Sequence, residues 1–269
     1  MKRYVILEKS IGETPLSTIQ AWKALNPSYE GVPASYAGRL DPMASGKLLV
    51  LLGEECKKQK QYTGLDKEYE VEVLLDVGSD TGDVLGLCED ADVQTRVSDD
   101  VLMTVLKKEE GSMMRKYPAF SSKTLRGKPL FLHKLEGTLR DEEIPEHIET
   151  MYRVQYVGHT CVSSEDLKKQ IENLLARAPR TTEPSKALGE DFRIGAVRES
   201  WEQVFARAGA RAFHIVRIKV TCGSGAYMRS LAPRIGGALG TRALALSIHR
   251  TKVGKYLSLG LFGIWYRKY

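Results

Sequence analysis

The sequence predicts an α+β domain, one mixed and largely antiparallel β-sheet with helices packed around it. Two kinds of pattern carry this. Stretches such as KEYEVEVLLDV (67–77) and FHIVRIKVTC (213–222) alternate apolar and polar residues with the period of a strand. Between them, apolar stripes at helical spacing recur in 98–110 and in SEDLKKQIENLLARAP (164–179). No internal repeat at solenoid spacing interrupts the alternation.

The 269 residues suit a single domain spanning 1–269 with a sizeable core. No apolar run approaches the roughly 20 residues of a membrane span, and MKRYVILEKS turns polar too soon for a secretory signal. Cysteines at 56, 88, 161 and 222 are too scattered for a CxxC metal pair or a disulfide framework. A reduced, cytoplasmic protein with no membrane partner is expected. The net charge of +6 keeps such a protein soluble. It also suits an anionic partner such as nucleic acid, where neutralised phosphates dominate affinity.

Along the chain, Tyr4-Val5-Ile6-Leu7 marks a first strand. A helix follows over 17–25, with Ser17 as N-cap behind Pro15. Lys47 to Leu52, closed by Gly53, reads as a buried strand. In 67–77, Tyr69, Val71, Val73 and Leu75 share one face, and Glu68, Glu70 and Glu72 the other. Tyr69 therefore points inward, where its hydroxyl needs a partner. GSDTGDVLG (78–86) is a polar loop; the spacing of Asp76, Asp80 and Asp83 misses the calcium-loop pattern, and no metal site is expected.

The helix over 98–110 has Val101, Leu102, Val105 and Leu106 on one side. KYPAFSSKTLRGKPLFLHKLEG (116–137) mixes cations, aromatics and hydroxyls between turn formers, which fits either a surface hairpin or phosphate contact with base stacking. Met151 to Val162 is a strand. Leu167, Ile171, Leu174 and Leu175 stripe the next helix, 180–200 reads as a polar loop, and Trp201 to Ala208 as amphipathic helix. After the 213–222 strand, GSGAYMRSLAPRIGGALG (223–240) makes a tight strand-to-helix turn that displays Tyr227 and Arg229. It lacks the third glycine of a dinucleotide fingerprint. SIHRTKVGKY (247–256) is extended and basic.

Taken singly, Asp41 in AGRLDPMASG (37–46) reads as a turn former before Pro42, Tyr69 as core, and Arg229 as a helix charge. Taken together and in order, AGRLDPMASG, Lys67-Glu68-Tyr69, GSDTGDVLG, AYMRSLAPRIGGALG (226–240) and Arg250-Thr251 with Gly254 resemble the TruB family of RNA pseudouridine synthases. The matches cover residues 3 to about 137 and about 212 to 256.

The resemblance implies the pseudouridine synthase fold, with its active site in a basic cleft, and a reaction that detaches uracil from ribose, turns it and reattaches it through C5. No cofactor or metal is implied. The resemblance assigns Asp41 as the nucleophile on the sugar, Tyr69 as the ring that stacks on uracil and takes part in proton transfer, and Arg229 as the ion-pair partner of Asp41. Tyr227 packs beside the pocket and Ile248 buttresses the base. Tyr36, Gly38 and Arg39 complete the substrate pocket, and Lys9, Lys123, Arg126, Lys128, Arg234 and Arg250 are expected to contact RNA. The implied substrate is uridine 55 in the T-loop of tRNA, bound by a monomer. Another RNA substrate, an RNA-binding tRNA-folding factor and a basic structural protein of ribonucleoprotein assemblies stay open as alternatives.

Three departures from the family stand out. Tyr36 occupies the position, five before the aspartate, where the family usually has histidine; it can stack or hydrogen-bond but cannot titrate near neutrality. Pro233 and Arg234 replace residues that are usually acidic, and Pro233 is expected to make the helix begin or bend nearby. Finally, the small C-terminal PUA domain of bacterial relatives is expected to be missing, while roughly 163–210 is expected to form an insertion that the usual bacterial pattern lacks. That insertion, with Arg211 just past it, carries Lys168, Lys169, Arg177, Arg180, Lys186, Arg193, Arg198 and Arg207. It either supplies RNA contacts in place of the PUA domain or is a solvated helix and loop.

Overall fold

The computed structural model describes residues 2–178, 193–259 and 262–266. Its first half contains β1 (Tyr4–Lys9), α1 (Pro15–Ala24), β2 (Ala34–Ala37), β3 (Ala44–Leu52), α2 (Gln59–Thr63), β4 (Asp66–Leu75), β5 (Val77–Ser79), β6 (Cys88–Asp90), α3 (Asp99–Lys108), β7 (Gly111–Lys116), β8 (Thr124–Leu125), β9 (Lys128–Pro129) and α4 (Leu130–Leu135). Then come β10 (Glu146–Val162), α5 (Ser164–Ala176), α6 (Ile194–Ala208), β11 (Phe213–Cys222), α7 (Met228–Ala238), β12 (Ala243–Leu259) and β13 (Phe262–Tyr266).

Nine of these strands form one sheet in the order β1-β3-β12-β4-β11-β10-β7, with β2 also on β3 and β13 also on β12. Every pairing is antiparallel except β3 with β12, so the sheet is mixed, as expected. Gly46 makes the parallel contact possible. It sits at φ +103, and a Cβ there would lie 2.7 Å from the backbone N of Arg250 and 2.9 Å from its C. This close pass brings the loop before β3 up against β12.

Alternation along β4 sends Tyr69, Val71, Val73 and Leu75 to one face, where Leu102, Val105 and Leu106 of α3 and Leu231 and Ile235 of α7 cover them. Leu74 joins Ile215, Leu244 and Leu246 on the other face, beneath Leu167, Ile171 and Leu175 of α5 and Val197, Trp201 and Phe205 of α6. Each such side chain contributes about 1.5–3 kcal/mol by leaving water, so removing either helical layer would expose core. Helices α5 and α6, from the stretch expected to be an insertion, thus cover this second face of the sheet. Within that stretch, Lys168 pairs with Glu202 and Lys169 with Glu165; Arg180 and Lys186 lie outside the described residues.

Several boundaries differ from expectation for local reasons. Thr14, not Ser17, caps α1; Ser17 is the third residue of the capping box and bonds back to Thr14 N. The strand expected over 67–77 breaks at Asp76, at φ +68, whose buried carboxylate accepts from Thr95 N (3.0 Å) and Thr241 Oγ1 (2.8 Å). Val101 is exposed, leaving Leu102, Val105 and Leu106 as the buried stripe of α3. The loop expected over 180–200 gives way to α6 from Ile194, because Val197 continues the apolar stripe of Trp201 and Val204. Helix α7 begins five residues before Pro233 and carries it in its interior.

Candidate active site

The segment between β2 and β3 carries Asp41, and buried cations hold its carbonyl oxygens. Arg250 of β12 is 0% exposed. Its Nε donates to Lys47 O at 2.7 Å and its Nη2 to Gly38 O at 3.1 Å. Lys9, also buried, donates from Nζ to Ala44 O at 2.6 Å, Ser10 O at 3.0 Å and Pro42 O at 3.3 Å. Burial brings the Lys9 ammonium down to about 8. Gly38 takes φ +85 where the chain turns under the Lys67 and Arg250 side chains. Cationic side chains thus serve the loop from below, and its carboxylate faces outward at 37% exposure.

Arg229, the second residue of α7, is buried and reaches that carboxylate: Nε donates to Asp41 Oδ2 at 2.7 Å. Nη1 donates to Thr81 O at 2.9 Å and Nη2 to Phe120 O at 3.0 Å, while Asp83 Oδ2 lies 3.7 Å from Nε. One guanidinium therefore joins α7, the Asp41 loop, the 78–86 loop and the segment around Phe120. Burial opposes its charge, but Asp41 and Asp83 outweigh that and raise its pKa. Burial likewise raises the Asp83 carboxyl, with Arg229 opposing. Pro233 removes the amide that would have bonded Arg229 O, and the Gly82 backbone packs against that oxygen so closely that no Cβ would fit.

These groups rim a cavity of about 1120 Å³ that Tyr69, Ile248, Tyr227 and Lys67 also line. Tyr69 stands opposite Arg250 on β12 and Val220 on β11, and burial raises its phenol pKa, so it is neutral at pH 7. Lys67 Nζ donates to Leu65 O at 2.5 Å and Thr63 O at 3.1 Å, and burial takes it down to about 8. Outside, Tyr117 stacks on His147 with centroids 4.1 Å apart; Tyr227 meets both edge-on, and Lys123 Nζ lies 4.9 Å over Tyr117.

Asp41, Tyr69, Arg229, Tyr227, Ile248, Gly38 and Arg39 therefore converge on one cavity. Tyr36 does not. It packs against the Leu7, Ile19, Leu48 and Val50 cluster, because residues alternate in β2 and Ala37 takes the opposite side. Lys9 and Arg250 are too buried to touch phosphate and instead shape the loop. Arg234 is held by Glu109 and Glu149, both at 2.8 Å, inside the α3–α7 packing. Arg126 pairs with Glu143 and Lys128 with Glu136 on the outer hairpin, while Lys123 and Arg39 are exposed. Sequence reasoning missed Asp83, Phe120 and Tyr117. Asp83 was within reach: it sits in GSDTGDVLG, which was read as a loop that misses the calcium pattern and as a family motif, with no role given to its aspartates.

A family model described as "TruB family pseudouridylate synthase (N terminal domain)" matches residues 29–171, more than half of the chain. The chain belongs to the TruB family. Among TruB relatives, a protein of Aromatoleum aromaticum named tRNA pseudouridine synthase B is 26% identical over 94% of this chain and 63% of its own length. One of Azoarcus with the same name is 27% identical over 94% and 65%. A third, of Bordetella avium, is 24% identical over 94% and 81%. The chain thus spans just under two thirds of the first two relatives. A crystal structure of a Cbf5–Nop10–Gar1 complex aligns with 93% of this chain and 48% of its own, at TM-score 0.53 and 19% identity, a likeness of fold.

Proposed function

We propose that this TruB-family chain isomerises uridine to pseudouridine in tRNA, at uridine 55 of the T-loop, with Asp41 as nucleophile at ribose C1′. The observation that carries the reading is the Asp41 carboxylate, held by Arg229 at 2.7 Å yet open to a cavity with Tyr69 in its wall. A pocket of this size admits an extruded nucleotide.

In this reading the carboxylate attacks C1′ as the C1′–N1 bond breaks, and uracil leaves with the electron pair. Uracil turns between Tyr69 and Ile248, C5 bonds to C1′, and the carboxylate is released unchanged. C5 gives its proton to solvent and N1 takes one, so the product is an isomer and no oxidant or reductant enters. Arg229 fixes the carboxylate by one oxygen so that it meets the sugar without reorganising. Tyr69, neutral at pH 7, stacks on the base and can pass a proton at the sugar. Arg39 and Lys123 supply exposed cations for phosphates, and the Tyr117–His147 pair offers a stacking surface beside them.

Release of tritium from tRNA transcripts labelled at uridine C5 tests the reading, because C5 loses its hydrogen only when the new carbon–carbon bond forms. Expected is one equivalent released per tRNA, mapping to uridine 55. Absence of release with RNA bound would overturn it.

A further inference from the structure

Helix α6 grips the 78–88 segment at several points. Trp201 Nε1 donates to Val84 O at 3.2 Å, and Cys88 N donates to Ser200 Oγ at 3.0 Å. At the start of the helix, Arg193 forks onto Asp80, with Nη1–Oδ2 at 2.8 Å and Nη2–Oδ1 at 3.2 Å. The same guanidinium lies over the Phe120 ring, 4.8 Å from its centroid, and lines the cavity. Asp80 completes its bonding by accepting from Leu87 N at 2.8 Å.

The segments Arg193 joins are the ones that receive Arg229. Thr81, next to Asp80, gives its carbonyl to Arg229 Nη1, and Phe120 gives its carbonyl to Nη2. Arg193 thus ties together from outside the two supports that orient Arg229 from inside, and Arg229 in turn holds Asp41. We propose that Arg193, contributed by the insertion, is a positioning residue: it closes the 78–86 loop on Phe120 and so sets the plane of Arg229 against Asp41. This deepens the isomerase reading and rests on it. An arginine suits the task because one planar group can fork a carboxylate and stack on a ring together, which an ammonium cannot. Both partners are about a quarter exposed, so the pair contributes geometry more than global stability.

The test compares Arg193→Ala, Arg193→Lys and Asp80→Asn with wild type and with Lys169→Ala, a surface variant in α5. Readouts are single-turnover tritium release at saturating enzyme, tRNA Kd, and amide hydrogen exchange of the RNA-free protein. Removing Arg193 should slow the bound step roughly tenfold, the scale of a small misplacement, with Kd unchanged. Exchange should quicken at Leu87 and in both joined segments. Asp80→Asn should do the same, Arg193→Lys should restore little, and Lys169→Ala should match wild type. Weaker binding with an unchanged bound rate would overturn the proposal in favour of direct phosphate contact. Unchanged exchange in both segments would show that Arg193 ties nothing. If wild type released no tritium, the isomerase reading would fail and the positioning role with it, while exchange would still decide whether the clamp exists.

Discussion

Replacing Arg229 with methionine keeps most of the apolar stem and removes the cation. What it leaves behind sets the magnitude. Asp83 is buried, 3.7 Å from Arg229 Nε, with Thr81 Oγ1 at 2.7 Å and Leu85 N at 3.0 Å as its remaining donors. Deleting one partner of a buried pair costs about 3–5 kcal/mol, mostly from the stranded charge. Asp41, open to water, adds little. Arg229→Met should therefore lower stability by about 3 kcal/mol at pH 7, read as a lower urea midpoint at unchanged slope.

The same argument fixes the pH dependence. Burial already raises the Asp83 pKa, and losing Arg229, which opposes that, raises it further. A carboxyl with a folded pKa above its unfolded value binds its proton in the folded state. The deficit against wild type should then be largest at neutral pH and narrow as pH falls through the folded pKa. Adding Asp83→Asn to Arg229→Met should recover more than half of the stability, yet no activity, because Asp41 stays unheld. A loss under about 1 kcal/mol, or no recovery in the double variant, would refute this account of the buried charges.

Other expectations are as direct. Gly46→Ala forces a Cβ into the Arg250 backbone at φ +103 and should cost at least about 2 kcal/mol; an unchanged melting temperature would contradict the close strand pass. Lys67, held at about 8 by burial, has a folded pKa below the ordinary ~10.4. At this group the unfolded chain then binds more protons between these values, so the Lys67 contribution to stability should rise from about pH 8 to 10 by up to about 3 kcal/mol. In denaturant titrations the stability difference between wild type and Lys67→Met should show that rise, and a difference independent of pH would contradict it. Lys123→Ala should weaken tRNA binding and lower the salt slope by about 1, whereas Arg234→Gln, at a side chain already paired with Glu109 and Glu149, should leave the slope unchanged.

Much of this site was legible from sequence because its chemistry is local. Asp41 in its glycine-flanked turn, Tyr69 on the inward face of a period-2 strand and Arg229 just past a strand-to-helix turn all fell where motif and periodicity put them. What escaped depended on the far end of a contact. A basic residue looks the same in sequence whether it meets phosphate or a buried carbonyl, so Lys9 and Arg250 were taken for RNA contacts, though the fold buries both. Arg234 was misread in the same way: its acidic partners lie 125 and 85 residues away. Tyr36 was placed by motif alignment, but strand alternation turns it into the core. The insertion was weighed by its charges, while its buried Leu167, Val197 and Trp201 decide its position.

The measurement that bears most directly on the central claim is single-turnover tritium release by wild type beside Asp41→Asn, with tRNA affinity measured in parallel. Asparagine keeps the shape and an oxygen for Arg229 Nε but is no nucleophile. The account predicts rapid release by wild type and none above background by the variant, at equal Kd. Release by Asp41→Asn at a rate near wild type would contradict it.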